Sequence, residues 1–180
     1  MSATKQKIIT RTLNVTATWA TNVLSCSTGA TNHYLTTGDI VTLVTPNAPQ
    51  ELIKVAVTVT SGTAFTVPAS DQFSTFTVGV VIIPTWRTGV ATPLAPIAIP
   101  TRDANGSGII QATNIVGAAT STFTVSGSVD GVGFISIGSL IVPASTGGTI
   151  SLVIPSYWVY YQIGVTSIGA ATAVQLTHSF

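Results

Sequence analysis

The chain of 180 residues carries six basic and five acidic side chains, so its formal net charge is +1 and only 6% of its residues are charged, where a typical soluble domain has about 25%. Hydrophobic residues make up 46% and the mean hydropathy is +0.58, but no segment approaches the roughly 20 apolar residues of a membrane-spanning helix, so we expect no membrane partner. The net charge gives no support for nucleic acid as a partner. Because charge depletion is typical of buried interfaces, the composition predicts a surface covered largely by other subunits.

The start of the chain is basic. Lys5, Lys7 and Arg11 precede the first acidic residue, Asp39. These cations predict an arm that lies on an acidic surface of a neighbouring subunit, and the alternative is a frayed terminus whose lysines aid solubility. No apolar stretch of signal-peptide length follows them, so we expect folding in the cytoplasm. The single cysteine, Cys26, cannot form an internal disulfide.

Apolar and polar residues alternate with a period near two along most of the chain, with Thr and Val prominent. Because β-branched side chains are stiff and pack well on a pleated surface, the alternation predicts an all-β fold. The strands predicted in the first half are 8–19, 40–44, 53–60, 65–68 and 76–83. Those predicted in the second half are 109–116, 122–129, 134–142, 149–154, 157–165 and 172–178. Glycine-containing turns separate many of them.

A segment rich in proline and glycine, residues 89–107, lies between the two halves. Its prolines, Pro93, Pro96 and Pro100, cannot continue a central strand and favour an extended path. We therefore predict an N-terminal β-module with a basic arm (1–88), a connector (89–107) and a C-terminal β-sandwich module (108–180). Each module would be a small sandwich or barrel. The alternative is one sandwich of 180 residues in which a strand crosses at the prolines.

The first half contains a turn and strand pattern, His33-Tyr-Leu-Thr-Thr-Gly38-Asp39-Ile-Val, followed by Thr63-Ala-Phe65-Thr-Val. Glycine tolerates positive φ and Asp can bond its neighbouring backbone, so the Gly-Asp pair suits a tight turn. We expect His33 to support this turn by hydrogen bonding. The pattern resembles a small β-module that recurs in virion proteins of tailed bacteriophages.

The second half resembles another phage pattern, a Gly-Ser-x-Asp-Gly-x-x-Phe turn upstream of an aromatic-rich strand. Residues 127–134 read Gly-Ser-Val-Asp-Gly-Val-Gly-Phe, and residues 157–161 read Tyr-Trp-Val-Tyr-Tyr. Members often place an arginine in the aromatic strand, where this chain has Gln162, and this departure weakens the transfer of a charged binding role. Such modules occur in head decoration proteins, tail-tube or tail-tip extensions, and fibre or adhesin bases. The resemblance therefore implies a virion structural protein.

Groups that could perform catalysis are scarce. The two histidines, His33 and His178, lie far apart, and no nucleophile elbow, zinc-binding helix or phosphate loop is present. Residues 103–108 match the first half of a calcium loop, but its last position is Asn114 instead of a carboxylate. We therefore predict no enzymatic activity, no metal and no cofactor.

Four of the seven Trp and Tyr residues cluster at 157–161. In a strand, alternate rings would face opposite sides, so one side could fill the core while the other presents rings to a partner. Exposed rings suit a subunit contact or a sugar-stacking platform. The suspected interface residues are Lys5, Lys7, Arg11, Trp19, Trp86, Tyr157, Trp158, Tyr160 and Tyr161.

The leading functional prediction is a non-enzymatic virion structural protein. We expect a capsid decoration or cement protein that stabilises the phage head through contacts with the major capsid protein or other virion subunits and forms a homo-oligomer. It would be assembled in the host cytoplasm and reside in the virion. One alternative is a component of the tail tube, collar, baseplate or fibre base. Another is a carbohydrate-binding host-adhesion module whose glycan stacks on the rings of 157–161.

Overall fold

The computed structural model describes residues 6–44, 51–69, 76–87, 97–98 and 107–179. Every regular element in these ranges is a β-strand, so the predicted all-β class is confirmed. These ranges contain no helix with the length and apolar character needed to cross a membrane. The strands are β1 (Lys7–Ile9), β2 (Arg11–Ala20), β3 (Val23–Ser27), β4 (Ile40–Val44), β5 (Glu51–Ala56), β6 (Thr58–Ser61), β7 (Ala64–Pro68), β8 (Phe76–Ile83), β9 (Thr85–Arg87), β10 (Ile97–Ala98), β11 (Gly108–Val116), β12 (Ser121–Ser128), β13 (Ile135–Val142), β14 (Thr149–Ile154), β15 (Tyr160–Ser167) and β16 (Ala173–Ser179).

The chain divides into two compact units. The N-terminal unit is Thr10–Pro84, and the C-terminal unit combines Met1–Ile9 with Thr85–Phe180. Strands β1 and β9 both pair with β16, so the N-terminal unit is inserted between two strands of the C-terminal unit. The bounds of the predicted module 1–88 therefore differ from those of the N-terminal unit at both ends. Sequence alternation runs through Thr10 without a turn residue, and for this reason it predicts a single strand over 8–19.

Most of the predicted connector, 89–107, lies outside the described residues. Within it, β10 forms a short strand antiparallel to Tyr160 and Tyr161 of β15. This part of the segment is therefore a strand of the C-terminal unit rather than a link between modules.

The N-terminal unit is one sheet of seven strands in the order β5-β4-β8-β2-β3-β7-β6. Strands β5 and β6 lie at the two ends of this order but are separated in sequence only by the buried Val57. They act as one bent strand, in which β5 pairs with β4 and β6 pairs with β7. The sheet thus closes on itself in a barrel-like form, which removes long free edges among these strands. The core consists of Val15, Ala17, Leu24, Cys26, Leu35, Val41, Leu43, Val57, Phe65, Val67, Ala69, Val81 and Ile83.

The first phage-like pattern, which begins at His33, forms a hydrogen-bonded network inside this unit. Nδ1 of the buried His33 accepts the N–H of Leu35 at 2.9 Å, and Nε2 donates to the carbonyl oxygen of Ser61 at 2.9 Å. Asp39 accepts the N–H of Thr36 at 2.9 Å and closes the turn at Gly38, where φ is +95°. The predicted hydrogen-bonding role of His33 is confirmed, and its bond to Ser61 also ties the loop before β4 to the β6-β7 turn.

The C-terminal unit is a sandwich of two antiparallel sheets. One sheet has the order β1-β16-β11-β14, with β9 next to β1 along β16, and the other has the order β10-β15-β12-β13. The Tyr161 hydroxyl of β15 is hydrogen-bonded to Nδ1 of His178 in β16 at 2.7 Å, and this bond joins the two layers. A Cβ on Gly138 of β13 would lie 3.2 Å from Leu152 of β14, so these two strands lie one above the other on the same side of the sandwich.

Candidate subunit-contact surfaces

Charged side chains are almost missing from the C-terminal unit. From residue 104 to residue 180 the sequence contains a single charged residue, Asp130. Strands β1 and β9 add two cations, Lys7 and Arg87. The rest of the described surface of this unit consists of hydroxyl, amide and apolar groups, which is the composition expected of a surface that contacts protein.

The carboxylate of Asp130 is engaged by its own turn. Its Oδ1 accepts the N–H of Val132 at 2.9 Å, the hydroxyl of Ser128 at 2.8 Å and the N–H of Gly133 at 3.0 Å. These bonds, of which that from Val132 has the largest effect, lower the pKa of Asp130 from 3.8 to about 2. The residues of the second phage-like pattern therefore form a self-bonded turn.

Along strands β1, β11, β14 and β16 the outer face of the first sheet is polar but uncharged, whereas Arg87 of β9, opposite Ala173, alternates onto the same side. Gln6 Nε2 donates to Gln111 Oε1 at 2.5 Å and to Thr177 Oγ1 at 2.6 Å, and the hydroxyls of Thr113 and Thr149 lie 3.1 Å apart. These bonds hold neighbouring strands' side chains in a fixed arrangement. The outward residues of the sheet are Ile8, Ile109, Gln111, Thr113, Thr149, Ser151, Val153, Gln175, Thr177 and Ser179.

The outer face of the second sheet has the same character. Its outward residues in strands β12, β13 and β15 are Thr122, Thr124, Ser126, Ser136, Ser139, Ile141, Tyr160, Gln162 and Gly164. Gln162, which stands where the phage pattern often has arginine, thus lies on an uncharged face. In strands β11 to β16 both layers can therefore meet another subunit without burying an ionised group.

One end of the sandwich is apolar, a feature that sequence reasoning missed. Val129, Val132, Tyr157 and Val159 are exposed in two loops, which we call the apolar end. The N–H of Val159 donates to the carbonyl oxygen of Ser128 at 3.0 Å and connects the loops. The signal was available in the sequence, because valines flank the Asp-Gly turn where polar residues are usual.

The aromatic cluster divides into a turn and a strand. The predicted strand 157–165 begins only at Tyr160, because Tyr157 and Trp158 lie in a turn closed by the Trp158 N–H and the Pro155 carbonyl oxygen at 3.4 Å. Tyr157 is exposed, whereas the half-buried rings of Trp158 and Tyr160 lie over Gly127 and Gly131. The expected alternation of rings across a strand is therefore wrong for the first part of the cluster.

Two suspected interface rings are enclosed by the chain itself. Tyr161 lies in the sandwich core, and Trp86 of β9 is buried opposite Val174 of β16. Neither ring has surface left for a partner, which corrects the expectation for both. Trp19 of β2 is half-buried and packs against the core of the N-terminal unit.

The basic residues near the start of the chain do not lie together in an extended arm within the described residues. Lys5 lies outside the described residues, Lys7 is exposed on β1 opposite His178, and Arg11 begins β2 opposite Ile83. Residues 7–9 and 11–20 are paired strands, so this part of the expected arm is corrected to sheet structure. Strand pairing there is decided by β16 and β8, which are distant in sequence.

The described residues contain no group of three His, Cys, Asp or Glu side chains arranged to hold a metal ion. Asp103 of the calcium-like loop lies outside these residues. Asn114 is buried and donates from Nδ2 to the carbonyl oxygens of Gly117 and Pro143, both at 3.2 Å. Burial raises the pKa of the Cys26 thiol to about 12, so it stays protonated and unreactive at neutral pH.

In comparisons with known proteins, no protein-family model, no curated protein and no solved structure matches this chain.

Proposed function

We propose that the chain is a non-enzymatic structural protein of a virion, a capsid decoration or cement protein that joins neighbouring subunits of a phage head. One observation supports this most directly: the two outer faces of the sandwich carry no charged side chain in strands β11 to β16. The motifs shared with phage virion modules imply the same class of protein.

The physical basis is the cost of removing water from each kind of group. A protein that stays free in water gains solubility from ionised surface groups, and this sandwich has very few. Hydroxyl and amide groups lose far less on desolvation than ammonium or carboxylate groups do, and they can find hydrogen-bond partners across an interface. Faces of Thr, Ser and Gln with interspersed Ile and Val can therefore be covered without matched ion pairs.

A cement protein acts by preferring the assembled shell to its separate parts. Binding to the shell alone stabilises it by mass action, with about 2.7 kcal/mol per site when the free protein is at 100 times its Kd. Repeated over many sites, this term raises the temperature at which the shell breaks. The same faces would suit contacts between rings of a tail tube, so the location within the particle is part of the test.

The glycan-binding alternative has less support. A stacking platform needs several accessible rings side by side, whereas in this cluster Tyr157 is exposed, Trp158 and Tyr160 are half-buried and Tyr161 is enclosed. Binding of the purified chain to a glycan array, lost in Tyr157→Ala, would favour that function over the structural one.

The deciding experiment is cryo-electron microscopy with quantitative mass spectrometry of purified particles of the phage that encodes the chain. We expect density on the outside of the shell and a copy number comparable with that of the major capsid protein. Particles that lack the chain should break at a lower temperature and recover when the recombinant chain is added. Density confined to the tail would assign the alternative location. A chain absent from particles, and monomeric with no affinity for them, would overturn the proposal.

A pair of substitutions tests the outer faces directly. Gln111→Lys places an ammonium group in the middle of one face and should weaken rebinding to particles by about tenfold or more, because the charge must be desolvated. The matched control is Thr18→Lys, an exposed position on β2 of the N-terminal unit. Equal rebinding of both variants would show that this face is not a contact surface.

A further inference from the structure

The two sides of the C-terminal sandwich end in different kinds of edge strand. On one side the edges are β1, β9 and β10, with three, three and two residues. On the other side they are β13 and β14, with eight and six residues, and each pairs with one strand among those described. We call the second side the β13/β14 edge.

Edge strands expose backbone N–H and C=O groups that can pair with another chain, and proteins usually block them. Two features protect the side formed by β1, β9 and β10. Its strands are short, and it contains the cations Lys7 and Arg87. The β13/β14 edge contains no charged residue, and Pro143 and Pro155 stand only after the last residue of each strand. One register shift in the pairing of β13 with β12, at Ile137, leaves Gly138–Val142 as its regular part.

The β13/β14 edge also presents apolar side chains to solvent. Ile135 and Ile141 of β13 are 65% and 61% exposed, and Val153 of β14 is 55% exposed. A long, uncharged and apolar edge is the type that aggregates or is covered in the working protein.

We infer that the β13/β14 edge is the surface through which two copies of this chain pair, strand against strand, about a two-fold axis. A two-fold axis normal to the sheets places β13 antiparallel to β13 of the second copy, and β14 likewise in the other layer. Such an isologous contact needs a surface complementary to itself, which an antiparallel edge strand provides in its backbone. Because the edge holds no charge, self-pairing brings no like charges together.

Both layers are needed for a stable contact. Specific interfaces usually bury roughly 1,200 Å² or more, and two superposed strand pairs with their isoleucine and valine side chains bury more surface than a single pair does. Pairing would turn the five-strand and four-strand layers into continuous layers of ten and eight strands and would cover both edges. This assignment rests on the proposed structural function and deepens it by naming the partner and the surface.

The test is analytical ultracentrifugation of the full chain with two substitutions. The wild type should sediment as a dimer, and Ile141→Lys should raise the dimer dissociation constant by about tenfold or more, because two lysines would meet near the axis. Ile8→Lys is the matched control, since Ile8 is 45% exposed on β1 at the opposite edge, and it should leave the dimer unchanged. Circular dichroism and the unfolding midpoint establish that each variant is folded.

A second measurement does not depend on a disruptive substitution. A spin label on Ile141→Cys should give a short distance between copies, and one on Ile8→Cys a much longer distance or none. The native Cys26 is buried and protonated, so it resists labelling. A wild type that is monomeric throughout, or a dimer broken equally by the control, would overturn the inference.

Particle binding separates this inference from the proposed function. A monomer that still binds particles would refute the paired edge and leave the cement role standing. A dimer that forms through the edge but binds no particle would do the reverse.

Discussion

The indole of Trp158 lies directly against the backbone of Gly127, in the space that a side chain at position 127 would occupy. A Cβ there would overlap three ring atoms. The glycine of the second phage-like pattern is therefore required by an aromatic ring that follows it by thirty-one positions. Residues of the turn and of the aromatic cluster form one packed assembly.

Gly127→Ala should destabilise the C-terminal unit by about 1–3 kcal/mol, because the indole must move out of a packed position. Urea unfolding followed by circular dichroism measures the change. Gly133→Ala is the control, since no heavy atom lies within 4 Å of its Cβ position and its φ is not in the left-handed range. An equal effect of the two alanines would contradict the close contact between the indole and Gly127.

His33→Phe should destabilise the N-terminal unit by about 2–4 kcal/mol. The substitution keeps an aromatic ring beside Phe65, which the imidazole meets at 5.4 Å and 89°, but leaves the Leu35 N–H and the Ser61 carbonyl oxygen without their partner. The denaturation midpoint measures this loss. Thr31→Ala, at an exposed position in the same loop, should stay within about 0.5 kcal/mol of the wild type. A neutral His33→Phe would mean that ring packing alone holds the loop.

Turn chemistry made parts of this fold predictable from sequence. The Gly38-Asp39 and Asp130-Gly131 pairs each mark a turn at the expected place, with positive φ at both glycines. Strand β3 was not predicted from sequence, because the turn before it is formed by Thr21 and Asn22, with φ of 48° and 61°. Hairpin turns with positive φ at both central residues usually contain Asn-Gly. A threonine at the first of these two positions therefore gives no sequence signal for the hairpin.

The locations of the suspected interface residues could not be read from sequence for a different reason. The position of Trp86 before the proline-rich segment suggests an interface residue, but its pairing with Val174 depends on a strand far along the chain. Alternation shows which side chains share a face and does not show which face is covered. The uncharged outer faces, by contrast, follow directly from the absence of charge between residues 104 and 180 apart from Asp130.

Asp130→Ala should lower the unfolding midpoint at neutral pH, because the N–H groups of Val132 and Gly133 lose a charged acceptor. Asp130→Asn should lose less, since all three bonds reach Oδ1, which an amide retains as an acceptor. The pKa of Asp130 is lower in the folded state, so its contribution is present above about pH 4 and is lost as the pH falls toward 2. The difference in midpoint between wild type and Asp130→Asn should therefore shrink over that range. A difference that is constant from pH 5 to pH 2 would contradict the assigned bonds.

The Tyr161-His178 pair should make the sandwich sensitive to mild acid. Burial, and secondarily the charge of Lys7 on the adjacent strand, lower the pKa of His178 below its ordinary 6.5, and its Nδ1 is hydrogen-bonded to the Tyr161 hydroxyl. A His whose pKa is lower in the folded state stabilises the fold above about pH 6.5, and this contribution is lost as the pH falls further, because the unfolded chain then binds the proton more readily.

His178→Asn removes that titration while offering an amide oxygen to the same hydroxyl. The urea midpoint should fall more for the wild type than for the variant when the pH is lowered from 7.5 to 5.0. Lys7→Gln should reduce the wild-type fall, because it removes the cation that helps to lower the pKa of His178. Parallel falls in the wild type and His178→Asn would place the acid sensitivity elsewhere in the chain.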